Sequence, residues 1–206
     1  MIAALICTGV AALANWSTRV HPNERLETVS KPLATILVMW IAIAADGPHT
    51  ATVLALIGLA FCLIGDIALL DVVDVFILGL AAFLVGHGVF IAMFVTLHLR
   101  HPLWGIPVAL ALVVHAATIG RRIVAGAIAQ DSALRVPVMA YLVVIMSMAV
   151  VAAMTGRWWA IAGALLFVAS DTILGWRAFV GERRWMSLAV MVTYHGALVG
   201  LALSLQ

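Results

Sequence analysis

Long apolar runs broken by short polar clusters organise the whole chain. A helix needs about 20 apolar residues to cross the hydrocarbon core of a bilayer, with a range of about 17–25. Cuts fall where charges, proline, glycine and tryptophan gather. They predict eight helices, near residues 1–17, 31–45, 50–70, 73–97, 103–120, 132–154, 158–179 and 185–205. The tight breaks at Asp46–His49 and Asp71–Asp74 predict helical hairpins. The second run is short at its polar ends, so the expectation is either a tilted helix or a Lys31 that lays its stem along the helix and reaches the interface. Met1 to Ala14 ends in Ala12-Leu13-Ala14, a small-x-small pattern like a signal cleavage site. It lacks a basic leading region, and is read as the first span, ended by Trp16. No room is left for a separate soluble domain. The expectation is an all-α integral membrane bundle of about eight transmembrane helices, one domain over residues 1–206.

Composition agrees. The chain is 66% apolar and 10% charged, with mean hydropathy +1.20. Soluble domains are about 45–50% apolar and about 25% charged, and a soluble fold of this size could not hide so much apolar surface. A net charge of +2 is too small to suggest a nucleic-acid partner. Its distribution is more informative. Odd-numbered connections carry Arg19, Arg25, Lys31, Arg121, Arg122, Arg135, Arg177, Arg183 and Arg184, while even-numbered ones carry only Arg100 and Arg157. The positive-inside rule then puts odd connections in the cytoplasm and both termini outside. Trp40, Trp104, Trp158 and Trp159 fall at the outer interface, and Trp16, Trp176 and Trp185 at the inner one. Cys7 and Cys62 have no metal-ligand spacing and are read as small core residues. Short loops and no organelle-targeting segment point to a bacterial inner membrane.

Some residues do not belong in hydrocarbon: Asp66, His87, Tyr141, Ser170, Asp171, Tyr194 and His195. A charge near mid-membrane costs at least about 2.5–3.5 kcal/mol, so such residues face the bundle interior and are functional candidates. Each also has a structural reading. The aspartates could pair with a cation or a serine. His87 and His195 could be satisfied core histidines, the stronger reading for His195. The tyrosines could be core aromatics with a bonded hydroxyl. His21, His49, His98 and His101 lie at span ends and are read as solvated, and Glu182-Arg183-Arg184 as an interfacial face. No zinc-site spacing and no phosphate-binding glycine loop is present, so no cofactor or metal is expected.

A weak internal repeat is visible. Gly58 to Asp66 resembles Gly163 to Asp171, 105 positions on, and Pro32 and Pro137 share that offset. Gly86-His87-Gly88 and Tyr194-His195-Gly196 are 108 positions apart. Spans three and seven run the same way, so this is a possible parallel four-plus-four pseudo-repeat, as some transporters show. Chance matching in a low-diversity sequence is the plainer reading. A true repeat would bring Asp66 and Asp171 to equivalent places on a common cleft.

Several pieces occur in a recognisable order. They are Lys31-Pro32, Gly65-Asp66-Ile67-Ala68-Leu69, Gly79-Leu80-Ala81-Ala82-Phe83 and Gly86-His87. Pro137-Val138-Met139-Ala140-Tyr141, Met146-Ser147, Gly163-Ala164-Leu165-Leu166-Phe167, Ser170-Asp171 and Tyr194 complete the set. Over roughly residues 31–198 the chain resembles the YhhN-like family of lysoplasmalogenases, multi-pass membrane hydrolases. It departs in reading Tyr194-His195-Gly196-Ala197-Leu198, where the family often carries Tyr-x-x-Ala-Gln, and Gly88-Val89-Phe90 after His87, where the family tends to carry Tyr.

The resemblance implies hydrolysis of the vinyl ether bond of a lysoplasmalogen to a fatty aldehyde and a glycerophospho-base. That reaction needs an acid to protonate carbon, a carboxylate to stabilise the cation, and a base to orient water. Two carboxylates in different environments can divide these roles. Asp66 and Asp171 are the catalytic candidates, with His87 orienting water or a carboxylate. Lys31 (with Arg25 nearby) could take the lysolipid phosphate from the cytoplasmic side, and Tyr141, Ser170 and Tyr194 could hold other polar parts of the substrate. The expected partners are a lysophospholipid substrate and membrane lipid, with oligomeric state open. The alternative is a small proton-coupled transporter or lipid-handling protein, since buried Asp and His suit both.

Overall fold

The computed structural model describes residues 1–70 and 72–206. Among these residues there are nine α-helices and no strand. They are α1 (Ile2–Val20), α2 (Glu24–Ala44), α3 (His49–Ala68), α4 (Phe76–Thr96), α5 (Gly105–His115), α6 (Arg121–Gln130), α7 (Arg135–Met154), α8 (Trp158–Phe179) and α9 (Met186–Leu203). A π-turn over Ala116–Gly120 joins α5 to α6, so Pro102–Gln130 is one bent rod. The chain is therefore eight rods on short connections. Seven are long and apolar enough to cross a membrane. α1 is not one of them, because its last turns carry Asn15, Trp16, Ser17, Thr18 and Arg19. This is a multi-pass helical membrane protein, as the apolar runs predict.

Several expectations are corrected. The second helix begins at Glu24, not near 31, and encloses Pro32. Proline lacks one helix donor, but the turns before it are fixed by Asn23, whose side chain accepts from the Leu26 amide at 3.0 Å. Lys31 thus lies well inside a helix. It is buried and donates to the Leu69 carbonyl at 3.3 Å, so it does not reach out to the interface. The fifth rod continues to Gln130, because Arg121 and Arg122 sit on a helical face, with the Arg122 guanidinium 6.0 Å over the Trp176 ring. Cys7 is on the exposed face of α1, while Cys62 is buried. The hairpin expected at Asp71–Asp74 includes Asp71, which lies outside the described residues.

The even-numbered connections are closed by residues with left-handed backbone: Asp46, His98 and Gly156. At Gly156 a side chain is excluded twice over, by φ +70° and by His101, whose Cδ2 stands 2.0 Å from where a Cβ would be. α3 lies along α4, α8 along α9, and α1 along α2. α2 also packs on α3 and α9, and α7 on α4 and α8. Exchanging the first four rods for the last four carries α3/α4 onto α8/α9, α2/α3 onto α7/α8, and α2/α9 onto α7/α4. These three pairings follow a parallel four-plus-four exchange, whereas the contacts of α1 with α9 and of α6 with α8 have no comparable counterpart.

In lipid, helix association relies on close van der Waals packing, so small residues gather where backbones approach. α9 carries Gly196 and Gly200 four apart, and an added Cβ on Gly200 would lie 2.7 Å from Gly163 Cα in α8. The collision is backbone against backbone and cannot be relieved by a rotamer change. Gly200→Val is therefore expected to destabilise by about 1–3 kcal/mol or more, read as a lower thermal unfolding temperature in detergent. Gly88→Val, whose Cβ meets nothing within 4 Å, is the control and should leave that temperature nearly unchanged.

Candidate active site

Asp66 is buried near the end of α3, and Asp171 is half-buried in the second half of α8, each toward the end where the odd-numbered connections lie. Asp66 is 1% exposed. Its Oδ2 accepts from Thr35 Oγ1 of α2 at 2.5 Å and from Tyr194 Oη of α9 at 2.8 Å. Its Oδ1 is buried and has no protein partner. The Lys31 charge, one turn before Thr35, acts on the same carboxylate. Ionised carboxylates only accept hydrogen bonds, and two hydroxyls on one oxygen answer that need.

Asp171 is less enclosed, with its side chain 12% exposed. Tyr141 of α7 donates a short hydrogen bond to its Oδ2. His87 of α4 places Nε2 3.0 Å from Tyr141 Oη and 3.4 Å from Asp171 Oδ2. Because the Tyr141 hydroxyl gives its proton to Asp171, its oxygen is left to accept from His87. A proton on His87 Nε2 is therefore the arrangement that satisfies all three groups. His87 is fully buried, and its Nδ1 has no protein partner.

The chain has only two tyrosines, Tyr141 and Tyr194, and each donates to one of these aspartates. The two clusters follow the exchange of halves. Asp66 is held by the second rod of its own half and the last rod of the other; Asp171 is held by the second rod of its half and the last of the other. Phe83 and Phe167, ending Gly79–Phe83 and Gly163–Phe167, stand edge to face between the clusters. Their ring centroids lie 5.8 and 5.5 Å from Tyr194, and Phe167 lies 4.5 Å from His87.

Both carboxylates line one polar cleft of about 560 Å³, with Lys31, Arg19, Arg177 and Glu27 on its wall. Arg19 pairs with Glu27, and Arg177 with Glu182. Ser170 is on the same wall and donates to the Val190 carbonyl of α9 at 3.2 Å, so its hydroxyl ties two helices together. A second cleft, almost wholly apolar, adjoins the first and also reaches Asp171 and Tyr141. Among the described residues no group of three or more His, Cys, Asp or Glu side chains is gathered as a metal site would require.

The structure brings Asp66, Asp171, His87, Tyr141, Tyr194, Ser170 and Lys31 into these two clusters and their common cleft. His195 stays apart: its Nδ1 accepts from Trp16 Nε1 at 2.9 Å, joining α1 to α9. Arg25 is not on the cleft wall. Thr35, Arg19, Glu27 and His115 are the residues that sequence reading does not single out. Thr35 carries no charge and Arg19 and Glu27 read as loop residues, whereas His115 falls inside the fifth expected span, where the rule that marks His87 also applies to it.

The model of the YhhN family matches residues 26–205, from the first turn of α2 to past the end of α9. The chain belongs to the YhhN family. No match is found among curated proteins or among solved structures. The YhhN match thus covers both carboxylate clusters and leaves out only α1, which adds Arg19 to the polar cleft.

Thr35→Val should leave Asp66 Oδ2 with one donor in a dry site. The expected loss is about 1–3 kcal/mol of stability, measured by thermal unfolding in detergent. Ser147→Ala removes only an exposed hydroxyl bonded within its own helix and should lose less than about 0.5 kcal/mol.

Proposed function

We propose that this YhhN-family protein is a membrane hydrolase that cleaves the vinyl ether bond of a lysoplasmalogen. The observation that carries the reading is the pair of aspartates in unequal settings on one cleft, whose wall also carries Arg19, Lys31, Arg177 and Glu27. Each is held by a tyrosine hydroxyl, one is closed in, and one is open. An enol ether is electron-rich and accepts a proton on the carbon β to oxygen. The oxocarbenium ion formed is captured by water. The resulting hemiacetal then collapses, breaking its carbon–oxygen bond to give the aldehyde and a glycerol hydroxyl.

Asp171 is assigned the proton donor. Its Oδ2 is taken by Tyr141 and faces His87, which leaves Oδ1 to carry the proton to the substrate. Tyr141 then stabilises the carboxylate that remains, a preorganised donor aimed where charge develops. Asp66 is assigned the base. Its buried Oδ1 lacks a protein partner, and a buried polar atom of that kind calls for a water or a substrate hydroxyl. Lys31 and Arg19 supply positive charge for the phosphate, and the cleft opens at the end where the odd connections lie. The arginine distribution supports reading that end as cytoplasmic, as in a bacterial inner membrane; with all eight rods crossing, both termini lie outside.

The exchange of halves also suits a proton-coupled transporter, since many such folds are built from repeats around a midplane site. Aldehyde release in detergent, with no gradient, separates the two. Purified wild type should release aldehyde from lysoplasmenylethanolamine. Asp66→Asn and Asp171→Asn should each lower kcat by about 10²–10⁴, and Lys31→Met should chiefly raise KM. No release from folded protein across several headgroups would favour transport or another lipid bond. Orientation is checked separately: single cysteines at Ser132 and at His101 should react with an impermeant thiol reagent only from the cytoplasmic and the outer side respectively, in a background lacking Cys7.

A further inference from the structure

We propose that the apolar cleft between α4, α6, α7 and α8 is a chain-binding subsite. It would take the hydrocarbon of a single-chain lipid whose polar part lies in the neighbouring cleft, with Asp171 at the junction. The hydrolase reading supplies the bond that is cut; where the chain sits is a separate claim.

The two clefts share Leu69, Phe83, Asp171 and Leu174 on their walls. The clefts therefore adjoin beside Asp171. Apart from Asp171 and Tyr141, the polar side chains on the apolar cleft are His115 and Thr172. They satisfy each other: Thr172 donates to the Val168 carbonyl at 2.6 Å, so at 3.1 Å its oxygen accepts from His115 Nε2. Nothing else along the walls offers a group to a polar ligand.

Lipid tails are as apolar as this lining, so the hydrophobic effect does not drive a tail from bilayer to cleft. The cleft can hold a chain selectively only if that chain belongs to a molecule anchored elsewhere. The anchor is next door, where Arg19, Lys31 and Arg177 line the polar cleft. Along α8 the apolar cleft runs from Val168 to Phe179, roughly 16 Å at about 1.5 Å per residue. That is one leaflet's share of a core about 30 Å thick. One cleft of that length suits one chain.

Gly175 keeps the cleft open between α8 and α6. An added Cβ there would lie 3.1 Å from Ile123 Cγ2, already tight, and a leucine would project into the space.

The test is photo-crosslinking in nanodiscs of diacyl phosphatidylcholine. The probe is a saturated alkyl-ether lysophosphoethanolamine lipid with a mid-chain diazirine, which cannot be hydrolysed as a vinyl ether. Labelling is expected on Ile123, Val138 and Leu142. Gly175→Leu should lower it by about ten-fold, the equivalent of about 1.4 kcal/mol of overpacking. Gly88→Leu, on the open face of α4, should leave it unchanged. Should Gly175→Leu not fold, Val138→Phe fills the same space. Labelling spread over the outer faces of the helices would overturn the proposal. So would equal competition by diacyl lipid, which would make the cleft a general lipid groove. Cleft labelling without aldehyde release would sink the hydrolase reading and leave the chain subsite standing. Aldehyde release with labelling elsewhere would do the reverse.

Discussion

A carboxylate placed in hydrocarbon must be solvated by the protein itself, and this bundle meets that demand twice. Asp66 ties α3 to α2 and α9; Asp171 ties α8 to α7 and α4. Six of the eight rods are joined through two side chains. The tyrosines are central to this, because a phenol gives one strong donor while its ring packs in the core. Tyr194 and Tyr141 are buried with only their hydroxyls committed to charge. The polar site and the fold are consequently one object: loosening a carboxylate's partner also loosens a helix junction.

The same demand explains the rigidity of the surroundings. Phe83, Phe167 and Tyr194 pack edge to face around the clusters, so water reaches Asp171 by the clefts and not through the core. α8 and α9 meet at Gly163 and Gly200, where backbones touch without side chains between them. That closeness brings Ser170 within reach of the Val190 carbonyl and fixes the turn that precedes Asp171. A polar site is held in place only by rigid surroundings, and glycine contacts of this kind supply that hold without burying further polar groups.

Much of this was legible because the bilayer imposes a simple rule. Apolar length gave the rods, and the cost of intramembrane charge singled out Asp66, His87, Asp171 and their tyrosines. What escaped has physical reasons. Hydropathy places a helix end where charge begins, but Arg122 can lay its guanidinium over Trp176 and let the helix run on to Gln130. Lys31 looked like an interfacial residue because its neighbours are polar, yet the helix starts seven residues earlier and takes it into the interior. Thr35 carries no charge, so nothing in the sequence marks it as a carboxylate's donor. The pairing of Asp66 with Tyr194 spans 128 positions, and only the exchange of halves makes such a contact foreseeable.

Under that exchange the two clefts differ in character. The polar cleft lies among α1, α2, α3, α8 and α9; the apolar one among α4 to α8. Exchanging halves turns the core of one into the other, and Leu69 and Leu174, 105 positions apart, line both. At that same offset Lys31 answers to Val136 and Arg19 to Val124. Arg19 and Lys31 of the first half stand against valines in the second, Arg177 of the second half stands against Val72 in the first, and the aspartates are kept in both. A cation brought into a bilayer interior is costly unless it is paired, and here Glu27 accompanies Arg19. One cleft with charged walls and one with apolar walls thus meet at Asp171, and the carboxyl group stands at the boundary between a region that can solvate charge and one that cannot.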